Sequence, residues 1–154
     1  MAGPLHQPSP TRHYEDAADC LDFLLLKAMR AITQQYNHAL APSGLLITQF
    51  SLLAMLHLSG TSAMTRFAEA LGMDRTTLAR NLQPLLRQDY VRLTADPVDR
   101  RVQLLTLTDA GQAILDTAWP YWQGIQTALH DTLGGERTDS LLTELHLLAT
   151  FASP

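Results

Sequence analysis

A single cysteine, Cys20, stands among 154 residues. No intrachain disulfide can form, which fits a reducing compartment. Charged residues reach only 17% against 46% hydrophobic, a balance that excludes a disordered chain and is enough to build one core. No apolar run approaches the ~18–20 residues of a membrane span. The N-terminus has no basic stretch leading into an apolar one, so no signal peptide and a cytoplasmic location are expected. There is no G-x-S-x-G, no H-E-x-x-H, no phosphate-binding glycine loop and no convincing Cys/His pair, and an enzyme is not expected. The six histidines (His6, His13, His38, His57, His130 and His146) contain no i, i+4 pair, so their spacing outlines no metal site and no cofactor is expected.

The net charge of −4 runs against a polyanionic partner, but the charges are unevenly placed. Between Ser62 and Arg101 lie seven arginines (66, 75, 80, 87, 92, 100 and 101) against five acids (Glu69, Asp74, Asp89, Asp96 and Asp99), a net of +2. The remainder carries four basic residues and ten acids, a net of −6. Positive potential therefore gathers on one stretch.

That stretch, Met64 to Thr108, organises the chain. Helical patterns over Met64–Leu71 and from Arg75 onward meet at Gly72. Asp74 is a good N-cap for the second helix, and Leu78, Leu82 and Leu85 recur at helical spacing as its buried stripe. The opposite face carries Thr76, Arg80, Gln83 and Arg87. Arg75 sits in the first turn, where the helix dipole disfavours a cation by up to about 1 kcal/mol; a phosphate or a guanine edge would offset that cost. Pro84 lacks the N–H that would bond the Arg80 carbonyl, so a kink is expected without an end to the helix. Val91–Leu93 and Val102–Leu107 read as strands around a charged loop, Thr94 to Arg101. Helix, tight turn, helix and hairpin in that order make a winged helix-turn-helix.

The run L-G-M-D-R-T-T-L-x-R-N-L (71–82), followed by D-P-x-D-R-R (96–101) and L-T-x-x-G (107–111), resembles the MarR family of bacterial transcriptional regulators. The resemblance extends from about Cys20 to the C-terminal helix. It implies a homodimer that reads double-stranded DNA as an inverted repeat. Arg75, Thr76, Thr77, Arg80 and Asn81 would read the major groove. Arg100 or Arg101 would support the wing, whose arginine enters the minor groove, with Asp99 bracing the loop through an ion pair to Arg101. The family often places an arginine between the two aspartates; Val98 stands there in this chain. Either Arg100 takes over that contact or the wing contributes less.

The fold expected is mainly α with a small β-hairpin wing: a winged helix-turn-helix lobe (45–108) between N- and C-terminal dimerisation helices (14–44 and 109–151). Together they form one domain, 14–154, preceded by a flexible tail, 1–13, with Pro4, Pro8 and Pro10. The first helix should run from about Glu15 to Leu40, with an apolar stripe of Leu21, Leu24, Leu25, Ala28, Ile32 and Leu40, and end at Pro42 and Gly44. The second should start on Thr48 as N-cap and reach about Leu58, with a turn at Gly60-Thr61. Thr108 should cap a long helix that Pro120 kinks or breaks and Gly134-Gly135 closes. A last helix, about Arg137 to Phe151, is rich in leucine (141, 142, 145, 147 and 148). The terminal helices carry more apolar surface than a small lobe can cover, which also points to a dimer.

Three regulatory readings compete. Cys20 is a candidate peroxide-sensing thiol. Asp16, Asp19 and Asp22 disfavour its thiolate, however, and no second cysteine can resolve it, so an inert, partly buried cysteine is expected. A small lipophilic or phenolic effector is the reading preferred here, in a cleft that Met29, Tyr36, Met55, His57 and Trp119 or Trp122 could line, although each of these also suits plain core. The third is a winged helix kept only for protein contacts, with no DNA binding.

Overall fold

The computed structural model describes residues 20–151. The expected tail and the expected start of the first helix at Glu15 lie outside them. The chain divides into two compact units, residues 1–35 and 36–154. Helix α1, Leu21–Leu40, runs from one into the other. In the first unit its apolar side chains are uncovered: Leu21, Phe23, Leu24, Leu25, Leu26, Met29 and Ile32 are all exposed.

The second unit begins with the last turn of α1, whose Leu40 is fully buried. A single 3-10 turn, Ala41–Ser43, then ends on Gly44 in the left-handed region (φ 76°), a conformation glycine adopts without steric cost. Helix α2 covers Ile47–Ser59. Thr48 is not its cap. The free N–H of Ile47 is taken by Asn37 Oδ1 at 2.7 Å, and that of Leu46 by Gln49 Oε1 at 2.9 Å. An asparagine ten residues upstream thus supplies the acceptor that the helix start requires.

After α2 come strand β1 (Ser62–Ala63), helix α3 (Met64–Ala70), helix α4 (Arg75–Arg87), strands β2 (Val91–Ala95) and β3 (Gln103–Leu107), and helices α5 (Asp109–Leu133) and α6 (Gly135–Phe151). The sheet is antiparallel in the order β1-β3-β2, with Ser62 opposite Leu105 and Val91 opposite Leu107. Strand β1 was not foreseen: two residues are too few to show an alternation. Helix α4 continues through Pro84 to Arg87. Helix α5 likewise passes through Pro120 without a break, so of the expected kink or break the break is corrected; Pro120 is exposed, and water can satisfy the carbonyl it leaves free. Gly134 alone closes α5, because Gly135 already belongs to α6.

The core is one cluster in this unit. Phe50, Leu53 and Leu56 of α2 meet Phe67 of α3, Leu78, Leu82 and Leu85 of α4, Leu105 of β3, and Leu115 and Ala118 of α5. Phe50, Trp119 and Trp122 extend it as a stack, with ring centroids 4.8–6.3 Å apart. Helix α6 buries none of its leucines; Leu141, Leu142, Leu145, Leu147 and Leu148 are all exposed. Among the described residues no single helix is long and apolar enough to cross a membrane.

Candidate nucleic-acid interface

Helix α4 owes its position to three leucines and an aspartate. Leu78, Leu82 and Leu85 are 0–1% exposed, which pins one face to the core and turns the other outward. Asp74 caps the first turn: Oδ1 accepts from Thr77 N (2.9 Å) and Oδ2 from Thr77 Oγ1 (2.6 Å). The Thr77 hydroxyl, and then its backbone N–H, hold the Asp74 carboxyl below the usual carboxylate range. The outward face presents Arg75, Thr76, Arg80, Gln83 and Arg87, all exposed.

Thr77 and Asn81 lie differently from the rest of the predicted reading set. Thr77 is half-buried and its hydroxyl is committed to the cap. Asn81 is half-buried too, and its amide nitrogen approaches Met73 Sδ at 4.0 Å, toward the turn of the motif. Gln83 and Arg87 extend the exposed row and were visible in the same periodicity.

The wing, residues 96–102 between β2 and β3, is held by its aspartates. Asp96 Oδ1 accepts from Val98 N (2.7 Å) and Asp99 N (3.1 Å), and Asp96 N donates to Val102 O (2.9 Å). Asp99 Oδ1 accepts from Arg101 N (3.0 Å). The expected Asp99–Arg101 ion pair is thus replaced by a bond to the Arg101 backbone, because that carboxylate closes a turn two residues long. Arg100 and Arg101 are exposed, and Val98 at the tip is 95% exposed.

The acids of this stretch are mostly spent on its own architecture. Asp74 caps α4, Asp96 and Asp99 fold the wing, and Asp89 meets Arg92 Nη2 at 3.4 Å. Among the described residues Arg92 is the only one of the seven arginines within 4.0 Å of a carboxylate. All seven are exposed. A polar recess of about 360 Å³ at the start of α3, lined by Ser59, Thr61, Ser62 and Arg66, adds to the cationic surface and was not predicted.

The profile of the MarR family matches residues 43–102, which hold the helix-turn-helix and most of the wing. The chain is 36% identical to the Mycobacterium tuberculosis transcriptional regulator MosR, solved in complex with DNA. That superposition covers 88% of this chain and 99% of MosR, with a TM-score of 0.76. The chain belongs to the MarR family. A transcriptional repressor of the same fold, CouR, solved on a 23-mer DNA duplex, is 30% identical over 87% of this chain and 95% of its own, with a TM-score of 0.79. The HTH-type transcriptional repressor NicR of Pseudomonas putida is 30% identical over 105 residues, which are 68% of this chain and 66% of NicR. The match therefore spans just under two thirds of NicR's length. MarR proteins are transcriptional regulators rather than a class of enzymes.

A second site lies between α2 and α5. A cleft of about 350 Å³ is lined by Ala54, His57 and Leu58 of α2 and by Gln112, Leu115, Asp116 and Trp119 of α5. His57 Nδ1 lies 2.6 Å from Gln112 Oε1, and Gln112 Nε2 donates to Asp116 Oδ1 at 2.7 Å. The carboxylate can only accept, which orients the amide and makes Nδ1 the protonated nitrogen of neutral His57. Of the predicted cleft residues, His57 and Trp119 line it. Met55 is exposed elsewhere on α2, Tyr36 is half-buried with its hydroxyl pKa raised by burial, and Trp122 sits in the aromatic stack. Met29 belongs to the first unit. Gln112 and Asp116 went unpredicted, although their i, i+4 spacing on α5 was readable. Cys20, expected to be partly buried, is exposed just ahead of α1. Among the described residues no three His, Cys, Asp or Glu side chains cluster as metal ligands.

Proposed function

We propose that this MarR-family chain is a homodimeric repressor that binds an inverted-repeat operator in the cytoplasm and is released from it by a small molecule. Arg75, Thr76 and Arg80, with Thr77 and Asn81 behind them, read the major groove, and Arg100 and Arg101 support the wing. One observation carries the reading: α4 is buried to 0–1% on its leucine face, while its arginines stand exposed on the other with no acidic partner among the described residues. The DNA complexes of MosR and CouR support it. Residues 45–108 form the reading lobe. The uncovered leucines of α1 and α6 form the dimer surface, because exposed apolar area of this extent is what subunit association removes from water. The effector site is the α2–α5 cleft. A ligand that prefers the DNA-incompetent state releases the operator by linkage.

Selection from random duplexes at near-physiological salt tests the proposal and should return an inverted repeat. Arg80→Ala should then lose about 1–3 kcal/mol of specific affinity, roughly 5–150-fold, while staying folded and dimeric. A folded dimer that enriches no sequence would refute the proposal.

A further inference from the structure

The lining of the α2–α5 cleft selects the charge of its ligand. Among the described residues that line it, the carboxylate is that of Asp116, and none is a lysine or an arginine. Asp116 Oδ2 and His57 Nε2 take no hydrogen bond from the described residues, whereas Oδ1 and Nδ1 are committed to Gln112. Both of these free atoms are acceptors in the neutral-imidazole tautomer, and the donors left in the lining, the second Nε2 hydrogen of Gln112 and the Trp119 Nε1–H, carry no formal charge. The rest of the lining is apolar or aromatic, with Leu58, Leu115 and the indole of Trp119, which is 42% exposed. An indole face attracts cations. A carboxylate ligand would meet Asp116 with nothing to neutralise it.

We infer that this cleft binds an aromatic cation, such as a protonated arylalkylamine, whose N–H groups donate to Asp116 and His57 while its ring packs on Trp119 and Leu115. The inference rests on the effector-responsive reading above and gives its ligand a chemical class.

The cleft also bears on the recognition helix. Gln112 N donates to Thr108 O, in the first turn of α5. In the same turn Thr108 N donates to Tyr90 O (3.1 Å) and Thr108 Oγ1 to Asp89 O (2.5 Å). Tyr90 N in turn donates to Leu85 O of α4 (2.9 Å). A ligand that spreads α2 from α5 pulls on the turn that anchors the end of α4, so binding and operator release are coupled through Thr108 and Tyr90.

Calorimetric titration of the full-length dimer with three probes of one shape, naphthylmethylammonium, naphthylmethanol and naphthoate, tests this. The ammonium should bind saturably, the alcohol about tenfold more weakly, and the carboxylate not measurably. Asp116→Asn, with its fold checked by thermal denaturation, should bring the ammonium down to the affinity of the alcohol. Trp119→Ala should weaken both. The bound ammonium should lower affinity for the selected operator. Binding of naphthoate as tight as the ammonium, an ammonium preference that survives Asp116→Asn, or a bound cation without effect on operator affinity overturns the inference. The titrations contain no DNA, so failure of the cation to bind counts against this inference alone, and failure of duplex selection against the regulator reading.

Discussion

Gly111→Ala should unfold this protein more readily, against the helix-propensity expectation. Position 111 lies in the first turn of α5, inside the L-T-x-x-G run. A Cβ there would stand 2.0 Å from the Tyr90 carbonyl oxygen and 2.8 Å from Leu107 Cδ1. Ordinary carbon–oxygen contact begins near 3.3 Å, so α5 must retreat by about 1.3 Å or Tyr90 must turn away. Either movement strains the bonds that Thr108 makes to Tyr90 O and Asp89 O. Overpacking costs about 1–3 kcal/mol, and each hydrogen bond lost about 0.5–1.5. The intrinsic gain of alanine over glycine in a helix returns only about 0.5–1 kcal/mol. With both Thr108 bonds affected the net is a loss of about 1–5 kcal/mol, or roughly 2–20 °C in Tm for a chain of this size. Equilibrium urea unfolding at fixed protein concentration should show a lower midpoint with an unchanged m value. Operator affinity should fall as well, because the same turn anchors α4. A variant as stable as wild type, or more stable, would show that the close approach is not obligatory and would remove the proposed link from α5 to the recognition helix.

Three other outcomes are expected. The Asp74 carboxyl is held below its ordinary range by Thr77, so its cap stabilises α4 above the unfolded pKa near 4 and is lost as pH falls through the lower folded value. Urea midpoints should therefore drop more steeply below about pH 4 in wild type than in Asp74→Asn, and equal slopes would refute the cap's role. Leu145→Glu on α6 should shift the protein from dimer to monomer in sedimentation, since Leu141, Leu145 and Leu148 share one exposed face; an intact dimer would exclude that face from the interface. Val98→Arg should tighten operator binding and steepen its salt dependence by about one unit of slope, whereas no change would mean that the wing tip does not reach DNA.

How much of this was legible in the sequence depended on how far each residue's partner lay. The Asp74 cap, the Leu78-Leu82-Leu85 stripe and the Thr108 cap all join residues three or four apart, so spacing alone revealed them. Asn37 capping α2, ten residues away, had no such signature. The α2–α5 cleft joins His57 to Gln112, 55 residues apart; composition suggested His57 and Trp119 but gave no reason to prefer them over Met55 or Tyr36. The wing failed in a different way. Asp99 and Arg101 suggested an ion pair because their charges are opposite, but a short aspartate side chain in a tight loop reaches a backbone N–H more readily than a flexible guanidinium.

The same habit of the aspartates explains how an acidic protein can present a surface for DNA. A carboxylate that accepts backbone N–H bonds has its charge partly offset by those local dipoles, so it repels incoming phosphates less than a free one would. Asp74, Asp96 and Asp99 are all bound in this way, and the arginines around them, Arg75, Arg80, Arg100 and Arg101, have no acidic partner among the described residues. The other ten acids lower the total charge, and the repulsion of an exposed charge is largely screened beyond a Debye length of about 8 Å. Raising salt should therefore weaken binding through the few arginine–phosphate contacts alone, with a slope set by those arginines rather than by the net charge of −4.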